Sequence, residues 1–476
     1  MKIDFISATI FGAMTDFSDI LETARRAQRN RPTTGELAKI FLRYHDAVLA
    51  RQSELLDVIQ KETGKARGHA FDEVLDVAIT SRHYAHIAAK TLKTRRKKGA
   101  LPVLTRTVVE RDPVGVVGII SPWNYPLSLT MSDAIPALLA GNAVVLKPDS
   151  KTPETALLAA EMLFEAGLPR DLFQVVPGSG ATVGQAIAHN CDYLMFTGST
   201  ATGRKLGAIA GERLIGYSAE LGGKNPLIVD ESADLAKAAE VAAQACFANS
   251  GQLCISIERI YVHRAIAQEF TEAFVKRTQE MKVGVGGWEY DMGILISEEH
   301  ATKVHEFVED AVAKGARVLA GGIPPEGRLY QPTILVDVPE DARVKREEVF
   351  GPLVYLETVD SMDEAVARAN DTDYGLNASV VAKPSVARRI ASRLHAGTVN
   401  INEGFAAAWA SIDAPMGGWK ASGLGRRHGV EGLLKFTESR TVAEQRLVLI
   451  SGGKIVERET YAQVMSTALK LGRKFL

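Results

Sequence analysis

From Val114 onward the chain alternates between short β-branched runs and helix-length segments, and this alternation constrains the fold more than any other feature. The runs VGVVGII, NAVVLKP, LFQVVPG and DYLMFTG are separated by stretches such as PETALLAAEMLFEAGL. Strand, glycine-bearing turn and helix in rotation predict a parallel sheet with helices on both faces, because parallel strands need long crossovers. A second series starts near Asn225 with NPLIVD, ERIYVHR, TILVDV, PLVYLETV, ASVVAK and TVNIN. The expected fold class is α/β, with two α/β domains in tandem. Ligands on such sheets sit beyond the carboxyl ends of the strands.

Other segments belong to neither series. The first ninety or so residues read as helices. Between Gly35 and Gly64, Leu37, Ile40, Phe41, Tyr44 and Val48 recur at three-to-four spacing, and Gly64 is a stop signal. Phe71, Val74, Leu75, Ala78 and Ile79 repeat the pattern. Leu101 to Arg111 and Arg440 to Ile450 look like strands that pair with each other or with another subunit. The basic run from Arg95 to Lys98 reads as a solvated turn rather than an anion patch, since it has no interleaved aromatics.

A net charge of −1 over 476 residues provides no global field for nucleic acid or an anionic membrane. No apolar run reaches the ~18 residues of a spanning helix, and Asp4 interrupts the N-terminal apolar stretch. The three cysteines, Cys191, Cys246 and Cys254, make no disulfide framework and no CxxC pair. A reducing, cytoplasmic location is expected, with no metal site. Asn377-Ala378-Ser379 fits a glycosylation acceptor but reads as accidental.

Four segments carry possible chemistry. Phe196 to Gly203 (FTGSTATG) follows a strand and opens a helix, whose free N–H groups suit a pyrophosphate. Its glycine spacing is not the GxGxxG fingerprint, and a plain strand-to-helix turn fits equally well. Cys254 follows the glycine break in SGQLC, where a thiolate could be presented to a cleft. Cys246 and Cys191 read as core residues. Glu220, between an apolar strand and Gly222-Gly223, could be desolvated into a general base. Asn124 lies between prolines in PWNYP and could donate to an oxyanion. Taken singly, each also has a structural explanation: a core thiol, a solvated glutamate, a turn asparagine.

Together, PWNYP, LKP, FTGSTATG, ELGGK, GQLC, EEVFGP and NDTDYGLNAS stand in the order and spacing of the aldehyde dehydrogenase superfamily, which the chain resembles from about residue 20 to about residue 445. The resemblance implies a Rossmann-like dinucleotide-binding domain (1–93 and 114–224), a catalytic domain (225–430) and an oligomerisation β-flap (94–113 and 436–450), followed here by an extension (451–476). It implies that Cys254 is the nucleophile, Glu220 the base and Asn124 the oxyanion donor. Trp123, Lys147, Ser150, Gly198, Ser199, Leu221, Glu348 and Phe350 fall at cofactor-binding positions. Tyr125, Leu129, Ser132, Phe405, Trp409 and Met416 fall along the substrate tunnel. The partners implied are a small aldehyde and further copies of the chain, as homodimer or homotetramer. Members that transfer the acyl group to coenzyme A lack the glutamate at position 220, so its presence implies release of a free acid.

The blocks NCDYLMFTGS, SAELGGKNP and GQLCISIERIYV resemble a bacterial subgroup of succinate-semialdehyde dehydrogenases, usually NADP⁺-linked. Members with that activity carry two arginines for the substrate carboxylate, at positions that here hold Ser132 and Ala248. Phe405, Trp409 and Met416 suit an aliphatic or aromatic aldehyde equally well. NADP⁺ is the expected cofactor, with NAD⁺ the alternative: many NAD⁺-specific members place a glutamate where this chain has Ser150. The stretch after Ser451 carries apolar residues at helical spacing beside Lys470, Arg473 and Lys474. It is expected to pack on its own subunit or a neighbour rather than lie on a membrane.

Overall fold

In the helical N-terminal region, the first long turn is set by a capping box. Thr33 Oγ1 accepts the Glu36 N–H, and the Glu36 carboxylate accepts the Thr33 N–H. Helix Thr34–Ala50 buries the predicted stripe of Leu37, Ile40, Phe41, Tyr44 and Val48. The periodic segment is two helices rather than one. Arg51, at φ −105° and ψ 23°, ends the first and precedes Gln52–Thr63. Its guanidinium pairs there with Glu54 and Glu165, each at 2.7 Å. Gly64 stops the second helix at φ 76°, where a Cβ would lie 2.5 Å from Ile294. The computed structural model describes residues 17–98, 104–446 and 456–473.

Every strand run in the two series forms a strand. The first sheet has the order Gly423–Leu424, Gly216–Glu220, Tyr193–Thr197, Val116–Ile120, Ala143–Lys147, Phe173–Val175. Its last five strands are parallel, and Gly423–Leu424 joins antiparallel from far along the chain. The chain leaves the Val116–Ile120 strand to one side for Ala143–Lys147 and later returns on its other side with Tyr193–Thr197. That reversal opens a crevice at the carboxyl ends, between PWNYP and FTGS.

The second sheet runs Arg317–Ala320, Thr333–Val336, Leu353–Val359, Ile257–His263, Asn225–Val229, Asn377–Val381, Thr398–Ile401. All of its neighbours are parallel except the first pair. Asn377, of the glycosylation-type triplet, is buried and donates to the Ile255 and Gly404 carbonyls.

The two stray runs pair with each other. Thr105–Pro113 and Thr437–Gln445 form an antiparallel ladder with Val109 opposite Thr441. Arg95–Lys97 adds a third strand against Thr107–Val109. This corrects the turn expected there: the residues are exposed, but their backbone is laddered. Residues 99–103 and 447–455 lie outside the described residues. Arg458–Gly472 is a helix with no buried residue, so the expected packing on its own subunit is not found. Among the described residues, no helix is long and apolar enough to cross a membrane.

Candidate active site

Cys254 follows a distorted segment. After helix Leu235–Phe247, Asn249 (φ 50°), Ser250 (φ 58°) and Gly251 (φ 67°) are all left-handed. For the two non-glycine residues this costs on the order of 1–3 kcal/mol each. Side-chain hydrogen bonds hold the shape. Asn249 Nδ2 donates to the Asn124 and Gln252 carbonyls, both at 3.0 Å, and Ser250 Oγ donates to the Gly293 carbonyl at 2.9 Å. Gln252 donates to the Asn249 carbonyl and accepts the Ile296 N–H. At Gly251 a Cβ would come within 2.1 Å of the Gly351 carbonyl oxygen, so no side chain fits.

Asn124 is locked against this segment. Its Nδ2 donates to the Gln252 carbonyl at 3.0 Å, which leaves the second N–H of the amide for another acceptor. Behind it, the buried Lys65 donates to the Asn124 carbonyl at 2.7 Å and to Glu73 at 2.6 Å, and sits 3.9 Å over the Tyr125 ring. Glu73 also accepts the Leu127 and Ser128 N–H groups. Lys65 was not singled out in the sequence because its surroundings read as an ordinary helix boundary.

Glu220 ends the Gly216–Glu220 strand and is buried. Burial raises its pKa to about 7, against the pull of Arg427 and Lys435. A Cβ on Gly417 would fall 3.0 Å from Glu220 Oε1, so that glycine leaves room for the carboxylate. Burial, then the charges of Glu220 and Glu348, push the Cys254 thiol up to about 12, while Arg427 and the Cys254 N–H oppose the shift. The Glu220 carboxyl is therefore within electrostatic reach of the thiol.

Cys254 and Asn124 open on a cavity of about 560 Å³, and all six residues expected along a tunnel (Tyr125, Leu129, Ser132, Phe405, Trp409 and Met416) line it. Leu129, Phe405 and Met416 also pack with Cys254 in one apolar cluster. Ser132 donates to Asp76 at 2.5 Å, so its hydroxyl proton is already committed. Ala248 lines the same wall.

On the other side lies the sheet crevice. Trp123 and Phe350 meet edge-to-face at 5.5 Å, with His300 5.7 Å from Trp123. Glu348 accepts the Gly223 N–H at 2.8 Å, and burial raises its pKa to about 8. A Cβ on Gly222 would lie 2.4 Å from Glu348, so the glycine pair permits this close approach. The neighbouring Val349 and Phe350 N–H groups bind Glu258, itself paired with the buried Lys224 at 2.6 Å. Leu221 is buried, packs over Gly203 and donates its N–H to the Ser422 carbonyl.

Helix Thr200–Arg213 starts at Ser199, which is exposed beside Gly198. Lys147 is buried and donates to the Pro148 carbonyl at 2.7 Å. Ser150 and Lys151 are exposed, with Lys151 Nζ 5.8 Å from the Trp123 ring, and Asp149 accepts the Lys151 N–H. A helix N-terminus capped loosely by Ser199, which accepts the Thr202 N–H at 3.4 Å, two lysines, an aromatic pair and a carboxylate fit a phosphate-bearing dinucleotide. Among the described residues, no group of three or more His, Cys, Asp or Glu side chains is placed to hold a metal ion.

A half-buried cysteine where a tunnel meets a dinucleotide-type crevice, on paired α/β sheets, is the layout of a thiol-dependent oxidoreductase. The chain belongs to the aldehyde dehydrogenase family, whose model matches residues 7–442. It is 54% identical over 445 residues, 92% of this chain and 86% of the other, to a Mycolicibacterium smegmatis protein named putative succinate-semialdehyde dehydrogenase (NADP⁺). It is 53% identical over 444 residues, again 92% and 86%, to a Mycobacterium tuberculosis protein named putative succinate-semialdehyde dehydrogenase (NADP⁺) 2. An NADP-dependent enzyme from E. coli superposes with TM-score 0.87 at 35% identity over 90% of each chain. An NAD-dependent aldehyde dehydrogenase from Sinorhizobium meliloti gives 0.86 at 35% identity, over 91% of this chain and 88% of the other.

Proposed function

We propose that this chain oxidises succinate semialdehyde to succinate with NADP⁺, through a thioester on Cys254. The observation that carries the chemistry is the placement of Cys254 at the tunnel wall beside the Asn124 amide, with the Glu220 carboxyl in electrostatic reach. Thiolate attack on the aldehyde carbon makes a tetrahedral thiohemiacetal, whose oxyanion accepts from the free Asn124 N–H and the Cys254 N–H. Bound in the crevice by Trp123, Lys147, Ser150, Gly198, Ser199, Leu221, Glu348 and Phe350, NADP⁺ would supply the two-electron acceptor that takes hydride from that carbon. Glu220, poised near neutrality, then takes a proton from water as it attacks the thioester, and the free acid leaves.

The substrate assignment follows the names of the two mycobacterial relatives. The NADP⁺ assignment follows those names and the absence of a carboxylate at Ser150, with Lys147 and Lys151 nearby. An aliphatic or aromatic aldehyde is the second reading, favoured by Phe405, Trp409 and Met416 on the tunnel wall. The three-stranded antiparallel sheet serves as the flap of a homodimer or homotetramer. We assign 1–93 and 114–224 to a dinucleotide-binding domain, 225–430 to a catalytic domain, 94–113 and 436–450 to the flap and 451–476 to an extension, and a cytoplasmic location keeps Cys254 reduced.

NADPH absorbance with a panel of succinate semialdehyde, aliphatic and aromatic aldehydes tests the proposal. The semialdehyde with NADP⁺ is expected to have the highest kcat/KM. An aromatic aldehyde better by tenfold would overturn the substrate, and no turnover of any aldehyde would overturn the activity.

A further inference from the structure

Arg427 lines the tunnel beside Asn124, Cys254 and Asp76, with its side chain 11% exposed. Nothing in the sequence marked it, because it lies in the polar stretch Gly425-Arg426-Arg427-His428. Its Nη2 lies 2.9 Å from Asp133 Oδ2, but neither Nε nor Nη2 has a well-aligned hydrogen-bond acceptor. Asp133 is shared with Lys435, whose Nζ lies 2.8 Å from Oδ1. Two cations thus face one carboxylate, and the next acid in reach of both is Glu220, which burial keeps only partly ionised near pH 7, so their charge is only partly offset.

The other acid nearby, Asp76, adds little negative charge. Asp76 takes hydrogen bonds from Ser128 and Ser132, and its burial favours the neutral form. The lining histidines are also held neutral by burial, His69 at about 4 and His428 at about 3. Arg277 is the other cation of the tunnel wall, and it is held by Glu240 at 2.5 Å and lies 3.7 Å from Asp291. The solvent-facing wall, with Asp72, Glu240, Asp291 and Glu403, is acidic. At the deep wall Arg427 is the cation within electrostatic reach of Cys254, opposed there by Glu220 and Glu348. Ser132, bonded to Asp76, and the methyl of Ala248 line the same tunnel and offer no positive charge.

We propose that Arg427 binds the far carboxylate of the substrate, making the tunnel selective for short aldehydes with an anionic tail. This rests on the aldehyde-oxidising reading above. A guanidinium whose Nε and Nη2 lack aligned acceptors can turn N–H groups toward a carboxylate by loosening its 2.9 Å ion pair with Asp133. A four-carbon semialdehyde attached at Cys254 keeps its anion near Arg427. A longer chain would carry it toward the acidic outer wall.

The test compares kcat/KM for succinate semialdehyde and for butanal, of equal carbon number but uncharged, in wild type, Arg427→Gln and Arg427→Lys with NADP⁺. Wild type is expected to prefer the semialdehyde at least about tenfold. In Arg427→Gln that ratio should collapse by about tenfold to a hundredfold, mainly through KM, and Arg427→Lys should restore part of it. Equal losses for both substrates would overturn the proposal and place Arg427 behind Cys254 or Glu220 instead. If Arg427→Gln does not fold, the wild-type ratio decides, and equal use of both aldehydes would overturn the proposal. That outcome leaves the enzymatic reading standing, whereas oxidation of neither aldehyde overturns both.

Discussion

The segment that presents Cys254 and the segment from Lys147 to Lys151 both leave regular elements toward the same crevice, but they are built in opposite ways. In Asn249–Gln252 each of the three polar side chains is bonded to a backbone partner, three residues are held left-handed, and all are buried. In the other segment Ser150 and Lys151 are exposed, and Lys147 reaches only the carbonyl of the next residue. The contrast teaches that rigidity is concentrated where bonds are made and broken. The nucleophile must hold its position relative to the oxyanion donor to well within an ångström, whereas the nucleotide end needs only a complementary charge that a ligand can complete. Substitutions in the first segment should therefore act steeply and those in the second gently.

The steepest effect belongs to the thiol. Cys254→Ala should lose roughly a thousandfold or more in turnover while NADP⁺ still quenches tryptophan fluorescence with nearly its wild-type affinity. A mutant within tenfold of wild type would remove Cys254 from the chemistry.

Next is the buried clamp. Lys65→Met leaves Glu73 buried with only the Leu127 and Ser128 N–H groups and removes a donor from the Asn124 carbonyl. Loss of one partner from such a pair costs about 3–5 kcal/mol, to be read as an early unfolding transition in urea. A change below about 1 kcal/mol would mean that the clamp is not a source of rigidity.

This clamp also marks the limit of what the sequence makes legible. The strands of both sheets could be read because hydrophobic runs and glycine turns are local signals. Cys254, Glu220 and Asn124 could be read because their motifs are contiguous. Lys65, Asn249 and Arg427 could not, because each works through a partner distant in sequence: Lys65 with Asn124, Asn249 with Asn124, Arg427 with Asp133. The edge strand at Arg95–Lys97 was missed for the same reason, since its charges suggest solvent and only the ladder to Thr107–Val109 makes it a strand.

A smaller effect concerns pH. Glu220 must be deprotonated to act as a base, and its proton leaves as pH rises through about 7. Hydrolysis of the acyl-enzyme should therefore rise about tenfold per pH unit below neutrality and level off above it. An ordinary exposed glutamate would give a flat profile over the same range. Single-turnover decay of the acyl-enzyme across pH distinguishes the two, and a flat profile would mean that burial does not tune this carboxyl.

The gentlest effect lies in the open segment. Ser150→Glu should shift the kcat/KM ratio from NADP⁺ toward NAD⁺ several-fold, as expected for a partly solvated charge worth on the order of 1 kcal/mol. An unchanged ratio, with wild type already preferring NAD⁺ by more than tenfold, would show that Ser150 does not face the 2′-position.

The most direct measurement is the pre-steady-state time course of Glu220→Gln. Removing this negative neighbour eases formation of the Cys254 thiolate but takes away the base for water. The variant should give a burst of about one equivalent of NADPH per active site followed by a slow steady state, with the acyl mass retained on the peptide containing Cys254. A slow time course with no burst and no adduct would contradict the division of labour between thiol and carboxylate, because it would place Glu220 before the thioester rather than after it.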